Sequence, residues 1–355
     1  MRVSKAKSRK FSRHLGKPTM ADVAKAAGVS LMTVSRVIND PSQVSQKARD
    51  AVRQAVSQLD YTPNTAARSL AGMRQTSIGL LLSDVGAGFL NDILLGCMSA
   101  ASRNNVHVLI ENVEESQDPS FLVRSLADAN VDGIILAPPL SEDPIIIDLL
   151  SEIGIKFVAL TASNPDPRAL SVYIDDFAAA HAMTRHLLSL GHRTIGFIGG
   201  KPFLTASVRR LEGYRAALAQ ANVEFDPKLI ASGLYTYQSG LSAAEYLLAV
   251  DGQRPTAIFA CNDDMAAATV AVAQRLGIEV PLDLSVCGFD DTLLATAIWP
   301  QLTTIRQPLR KMTMEAVEML LEAKRSGKGL PMADRHRLLG YELVRRQSDA
   351  PPRAG

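Results

Sequence analysis

The sequence predicts a small all-α head at the N-terminus and, beyond a short connector, a two-lobed α/β body with parallel, doubly wound sheets. Three observations predict it. Charge is split along the 355 residues: positions 1–75 carry 14 Lys and Arg against the four acids Asp22, Asp40, Asp50 and Asp60, while the whole chain sums to only +2. Residues 19–38 hold two short helical patterns separated by Gly28-Val29-Ser30. From Ser77 onward, short apolar runs alternate with amphipathic stretches of helical period, the rhythm of βαβ units.

In the head, Thr19 followed three residues later by Asp22 fits a capping box, opening a helix that runs to about Ala27. Gly28 suits a left-handed backbone, and Ser30 suits the cap of a second helix from Leu31 to about Ile38. Val34, Val37 and Ile38 share a face and are expected to pack on Val23, Ala24 and Ala27. Leu31, Met32, Ser35 and Arg36 are then left facing outward. A third helix, Gln46 to about Leu59, covers the pair. Two short helices across a turn of this length form a helix-turn-helix, which places the second helix in the major groove of double-stranded DNA. Arg36 is the candidate reader of guanine, and Ser30, Thr33, Ser35 and Asn39 are candidate phosphate contacts. The basic head, set against an acidic remainder, agrees with a polyanionic partner. Residues 1–17, rich in Lys, Arg and Ser, are expected to be a disordered arm, and 18–61 the reading domain.

The connector, 62–75, contains Asn64 as a possible helix cap and Gly72 as a stop, with Ala67, Leu70 and Ala71 as a small apolar face. About eight residues are too few for a helix stable alone. Composition therefore leaves open a flexible linker and a helix that forms only against a partner.

In the body, 76–348, strands are expected at Ser77–Leu82, Val106–Ile110, Gly133–Ala137, Lys156–Thr161 and Ser171–Asp175. A second set is expected at Thr194–Gly199, Leu229–Ser232, Ala257–Asn262 and Ser285–Phe289, with a late strand Leu338–Val344 completing the second lobe. Residues 349–355 are read as a tail. In open α/β sheets, ligands bind beyond the carboxyl ends of the strands. Those ends are polar here: Asp84, Thr161, Asn262-Asp263-Asp264 and Asp290-Asp291. Converging acids and amides suit a hydroxyl-rich ligand; capping the following helix is the alternative, favoured for Asp263, Asp264 and Asp291.

No apolar run approaches the ~20 residues of a membrane span, and the basic start lacks an apolar signal core, so a cytoplasmic, non-membrane protein is expected. Cys97, Cys261 and Cys287 lie far apart in apolar contexts and read as buried small hydrophobes, without metal-ligand spacing. No nucleophile elbow is present, Gly199-Gly200-Lys201 lacks the phosphate-loop spacing, and no acid partner is placed by motif for His181, His186 or His192. No catalysis, cofactor or metal is expected.

Asp22-Val23-Ala24, Ala27-Gly28-Val29-Ser30 and Thr33-Val34-Ser35-Arg36-Val37-Ile38-Asn39 resemble the signature of the lactose/galactose-repressor (LacI/GalR) family. Tyr61-Thr62-Pro63-Asn64, Ala67 and Leu70-Ala71-Gly72 resemble that family's hinge. The likeness runs from about Thr19 to Val344. It implies a periplasmic-binding-protein-like body and a hinge helix that pairs with its partner in the minor groove, where Leu70 wedges between base pairs. It also implies effector contacts at Arg210, Asn262 and Asp290, and cleft aromatics at Phe89 and Tyr235. Thr161 stands where the family often has Asp, Thr313 where Gly is usual, and Leu31 and Met32 replace smaller or more polar residues. The combined expectation is a homodimeric repressor on a pseudo-palindromic operator, controlled by a small molecule, most commonly a saccharide inducer. A purine-type corepressor is the main alternative. A sugar-binding transport component and an enzyme with a DNA-binding appendage are rivals from other classes. No heptad helix follows Val344, so a coiled-coil tetramer is not expected.

Overall fold

The computed structural model describes residues 18–39, 44–61, 75–83, 86–113, 118–249, 254–327 and 330–353. The chain divides into two compact units, Met1–Gln75 and Thr76–Gly355.

The first unit contains α1 (Met20–Ala27), α2 (Leu31–Asn39) and α3 (Gln46–Gln58). The Thr19–Asp22 capping box forms as expected, and Gly28 ends α1 at φ 65, a conformation that penalises any side chain. Val23, Ala24, Val34, Val37, Val52 and Ala55 make the core, with Ala27 and Ile38 packed against it. The apolar faces read from spacing are thus the buried ones.

The second unit holds two six-stranded sheets. The first-lobe elements begin with β1 (Ser77–Leu82), α4 (Ala87–Asn104), β2 (His107–Asn112), α5 (Pro119–Asp128) and β3 (Gly133–Leu136). They continue with α6 (Pro144–Ile153), β4 (Phe157–Leu160) and β5 (Leu170–Ile174). The second lobe starts with α7 (Asp176–Ser189), β6 (Ile195–Gly199), α8 (Thr205–Gln220), β7 (Ile230–Ser232), α9 (Tyr237–Leu248) and β8 (Ala257–Ala260). It goes on through α10 (Asp263–Arg275), β9 (Ser285–Asp290), α11 (Leu293–Ala297) and β10 (Thr303–Arg306). The chain then returns through α12 (Leu309–Ser326) and β11 (His336–Leu339) before ending with β12 (Glu342–Val344). Strand order is β11-β5-β4-β3-β1-β2 in one sheet and β12-β10-β9-β8-β6-β7 in the other. Pairing is parallel throughout except between β10 and β12. Central strands are buried along their whole length because helices cover both faces of each sheet.

One expectation about strands is corrected and one strand is added. The run Leu338–Val344 is not one strand: β11 pairs with β5 in the first sheet, and β12 pairs with β10 in the second, with Gly340-Tyr341 crossing between lobes. Thr303–Arg306 is a strand absent from the sequence reading. The lobes are therefore linked by three crossovers, after β5, after β10 and after β11. The expected tail also differs up to residue 353, for Asp349 and Ala350 bond to Thr303, His186 and Ser285 of the second lobe, and Arg353 pairs with Glu279.

Candidate nucleic-acid interface and ligand cleft

On the head, Thr19 caps α1: its Oγ1 accepts from Asp22 N at 3.3 Å and donates to Asp22 Oδ2 at 2.7 Å. Ser30 Oγ accepts from Thr33 N at 3.1 Å and lies 2.8 Å from Thr33 Oγ1, so these two hydroxyls meet at the start of α2. Leu31 and Met32 are 53% and 66% exposed, and Arg36 is exposed beside half-buried Ser35. An apolar pair left in water next to an arginine is the surface the spacing anticipated. Tyr61, at the start of the segment that resembles the hinge, is buried in the head's core. The Asn39 side chain, Asn64, Ala67 and Leu70 lie outside the described residues.

In the body, a cavity of about 670 Å³, part of it open to solvent, lies between the lobes at the carboxyl ends of the strands. Phe89, Thr161, Arg210, Tyr235, Asn262 and Asp290 all line it. Asp84 is outside the described residues. Arg210 is the buried centre. Its Nε donates to Asp176 Oδ1 at 2.7 Å, its Nη1 donates to the Cys261 carbonyl at 2.6 Å, and its guanidinium lies 3.5 Å from the Phe289 ring centroid. Burial disfavours the cation, but the surrounding negative groups, Asp176 first, outweigh it and hold Arg210 charged. A buried pair of this kind with both ends hydrogen-bonded is costly to break on one side, by about 3–5 kcal/mol.

Asn262 is both cap and tether: its Oδ1 accepts from Met265 N at 3.0 Å, and its Nδ2 donates to the Tyr235 carbonyl at 2.9 Å. The Tyr235 ring lies over Gly200, where a Cβ would come within 2.0 Å of Tyr235 Cζ, so only glycine fits beneath it. The Tyr235 hydroxyl is 2.6 Å from Ser207 Oγ. Asp290 Oδ1 accepts from Gln307 Nε2 at 2.6 Å. Burial pushes the Asp290 carboxyl well up, against the opposing pull of Arg210. Thr161, Tyr235 and Asp290 hold φ values of 59, 65 and 110. Backbone strain of about 1–3 kcal/mol each is kept only where surrounding structure enforces it, and it gathers at ligand clamps.

Across the cleft, Glu142 of the first lobe accepts from Thr205 N at 2.8 Å and Thr205 Oγ1 at 2.7 Å, at the N-terminus of α8 in the second. Burial raises its carboxyl and the two Thr205 bonds oppose the rise. Neither Glu142, Asp176 nor Gln307 was a sequence candidate. Asp176 follows the buried strand β5 as Asn262 follows β8, so the strand-end rule could have found it. Of the acids assigned to helix capping, Asp291 instead pairs with Arg306 and Arg346 at 2.7 and 2.6 Å. Asp263 opens α10 but also accepts from Thr292 N and Thr304 Oγ1, both at 2.7 Å. His192 is structural, with Nδ1 2.9 Å from Thr256 Oγ1 and Nε2 2.9 Å from the Ala350 carbonyl. His186 does have an acid partner, Asp349 at 2.8 Å, which no motif indicated.

Residues 19–64 match the family described as bacterial regulatory proteins, lacI family, and residues 184–348 match the periplasmic binding protein-like domain. The HTH-type transcriptional regulator DegA of Bacillus subtilis is 37% identical over 340 residues, 94% of this chain and 99% of its own length. The chain belongs to the LacI/GalR family. Another relative in this family, the regulator CelR of Thermobifida fusca, is 35% identical over 86% of this chain and 92% of its own. A structure of the CelR–cellobiose complex superposes with a TM-score of 0.70 at 32% identity, covering 93% of this chain and 99% of that one. The lac repressor dimer bound to operator and the anti-inducer ONPF superposes at 0.79 with 29% identity, covering 94% and 100%. As a LacI-family member, the protein is a DNA-binding transcriptional regulator with an effector-binding body, and not an enzyme. Among the described residues no helix is long and apolar enough to cross a membrane.

Proposed function

We propose that the protein is a homodimeric repressor that binds a pseudo-palindromic operator and is released from it by a saccharide held between the lobes. The observation that carries this reading is the cleft floor: a buried, charged Arg210 with Asn262 and Asp290 beside it, flanked by the rings of Phe89 and Tyr235. Polar groups that bond to hydroxyls, set between ring faces, match the two surfaces of a sugar. The cellobiose in the CelR structure and the dimeric lac repressor on its operator support ligand class and assembly.

On DNA, each protomer inserts α2 in the major groove. Arg36 reads guanine, Leu31 and Met32 supply apolar contact to base edges, and Ser30, Thr33, Ser35 and Asn39 hold phosphates, with Thr19 at the start of α1 beside them. Asn64, Ala67 and Leu70 belong to the hinge, Leu70 as the minor-groove wedge, and Tyr61 is the last core residue of the head before it. Sugar binding alters the spacing of the hinges and so costs the wedge contacts, with a coupling of about 1–3 kcal/mol.

The test is binding of operator fragments at fixed salt, titrated with D-glucose, D-ribose, cellobiose, sugar phosphates and purines. A saccharide that weakens binding is the expected result; a purine that strengthens it replaces the inducer reading with a corepressor one. In the same assay, Arg36→Ala is expected to lose about 1–3 kcal/mol of discrimination between operator and random DNA while keeping salt-sensitive general binding. Equal loss on every DNA would contradict direct readout.

A further inference from the structure

Among the described residues, two buried side-chain polar atoms have no hydrogen-bond partner: Ser141 Oγ and Gln307 Oε1. Gln307 is the one that lines the cleft, and it is only 4% exposed. Its Nε2 donates to Asp290 Oδ1 at 2.6 Å, which turns the amide nitrogen to the carboxylate and leaves the oxygen unpaired. Buried acceptors are rarely left without a donor in folded proteins, because the lost hydration is not recovered elsewhere. The Gln307 side chain lines the cleft, and its unpaired oxygen, enclosed in this structure, is a contact point for a ligand that enters beside it.

Its position in the chain adds a second argument. Gln307 directly follows β10 and opens the crossover to α12; Asp176 directly follows the crossover from β5. The Arg210–Asp176 pair and the Asp290–Gln307 bond thus tie the cleft floor to two of the segments that join the lobes. A group that bonds to Gln307 touches the floor and a crossover at once.

We propose that Gln307 Oε1 accepts a hydrogen bond from a hydroxyl of the bound saccharide and so determines specificity. The inference rests on the saccharide reading of the cleft. A sugar without a donor at that point, whether deoxygenated, O-methylated or carrying a carboxylate or phosphate there, leaves the acceptor buried and unpaired and is rejected. An anionic group there also meets the neighbouring Asp290 carboxyl.

The experiment uses the full-length protein and calorimetric titration with D-glucose, D-ribose and cellobiose, comparing wild type, Arg210→Ala, Gln307→Met and Gln307→Asn. Melting temperatures are recorded without ligand. The expected result is that a sugar binding the wild type binds Gln307→Met about tenfold or more weakly, with the unliganded protein still folded. Gln307→Asn, whose amide is withdrawn by one methylene, is expected to weaken in the same direction. It decides the matter if the Met variant does not fold. Deoxy analogues of that sugar sharpen the result: the wild type discriminates against one of them, and Gln307→Met no longer does. Affinity within twofold of wild type in the Gln307 variants, while Arg210→Ala abolishes binding, overturns the contact and leaves the saccharide site standing. Weakened binding with deoxy discrimination intact at every position also overturns it, since the residue is then only structural. If none of the three sugars binds the wild type, the saccharide reading falls and the Gln307 contact falls with it.

Discussion

The wall that the first lobe brings to the cleft and the wall that the second lobe brings meet the same space with different chemistry. Phe89, Pro138 and Pro139 offer ring and pyrrolidine surface beside Thr161 and Glu142, whereas the second lobe adds to Leu204, Leu234 and Tyr235 the buried polar groups of Arg210, Asn262 and Asp290, already bonded to their own lobe or to the crossovers. The difference teaches how the labour of recognition is divided. Polar groups locked in place lose little freedom when a ligand arrives, so they select. Apolar surface contributes when water is expelled, so it responds to closure more than to identity. Glu142, reaching from the apolar wall to the start of α8, is the point where the two plans overlap.

The largest expected effect breaks the selecting wall. Arg210→Ala leaves Asp176 buried without its counter-ion, with Ser163 as its remaining partner, so the body should lose about 3–5 kcal/mol of stability, and effector response should vanish. Thermal melts and operator binding with and without sugar measure both. A variant that still answers to effector would show that selection lies elsewhere. A smaller effect comes from the other wall. Phe89→Ala should weaken effector binding by about 1 kcal/mol without changing the rank order of sugars, because it removes area and no directed contact. A changed rank order would erase the distinction between the walls.

The smallest effect concerns stability of the second lobe alone. Burial holds the His192 imidazole below the ordinary histidine range, with the Ala350 carbonyl opposing. A depressed folded value means that the unfolded chain binds protons first as pH falls. The contribution is complete above about pH 6.5 and is lost as pH falls through the folded value, at up to about 1.4 kcal/mol per unit. Burial pushes Asp349 up, but hydrogen bonds from His186 and Thr303 prevail and keep its carboxyl low, so its contribution fades in the same direction at more acidic pH. Melts of wild type and His192→Gln from pH 8 to 5 should converge toward the acid end; a constant gap would remove His192 from the pH response.

Much of this molecule is legible in sequence where its determinants are local. The Thr19–Asp22 box, the left-handed Gly28 and the spacing of Val34, Val37 and Ile38 act within one turn or one helix face, and each forms as read. Parallel strands covered on both faces appear as unbroken apolar runs, which is why β1, β3, β8 and β9 stand close to their expected bounds. The run ending at Val344 misled because Leu338 and Leu343 look alike in composition but sit in different sheets, a choice made by pairing with β5 and β10 far away in the chain. The polar strand ends Thr161, Asn262 and Asp290 were recoverable for the same reason as the strands. Glu142 and Gln307 were not: Glu142 lies in a short helical turn, and Gln307 directly follows β10, a strand the sequence reading did not contain.

The positive φ angles at Thr161, Tyr235 and Asp290 place a limit on anyone who would retune this regulator as a biosensor. At those three sites the palette is set by the backbone as much as by the ligand. Thr161 is β-branched, the type least at ease there, so Asn, Asp or Gly can relieve strain while changing the lining. Val or Ile at Tyr235 or Asp290 would put a β-branched side chain on a left-handed backbone, at a cost of about 1–3 kcal/mol each. A productive search would vary the ring at Phe89 and the loop around Glu142 freely, and confine the three strained positions to residues that accept a left-handed chain.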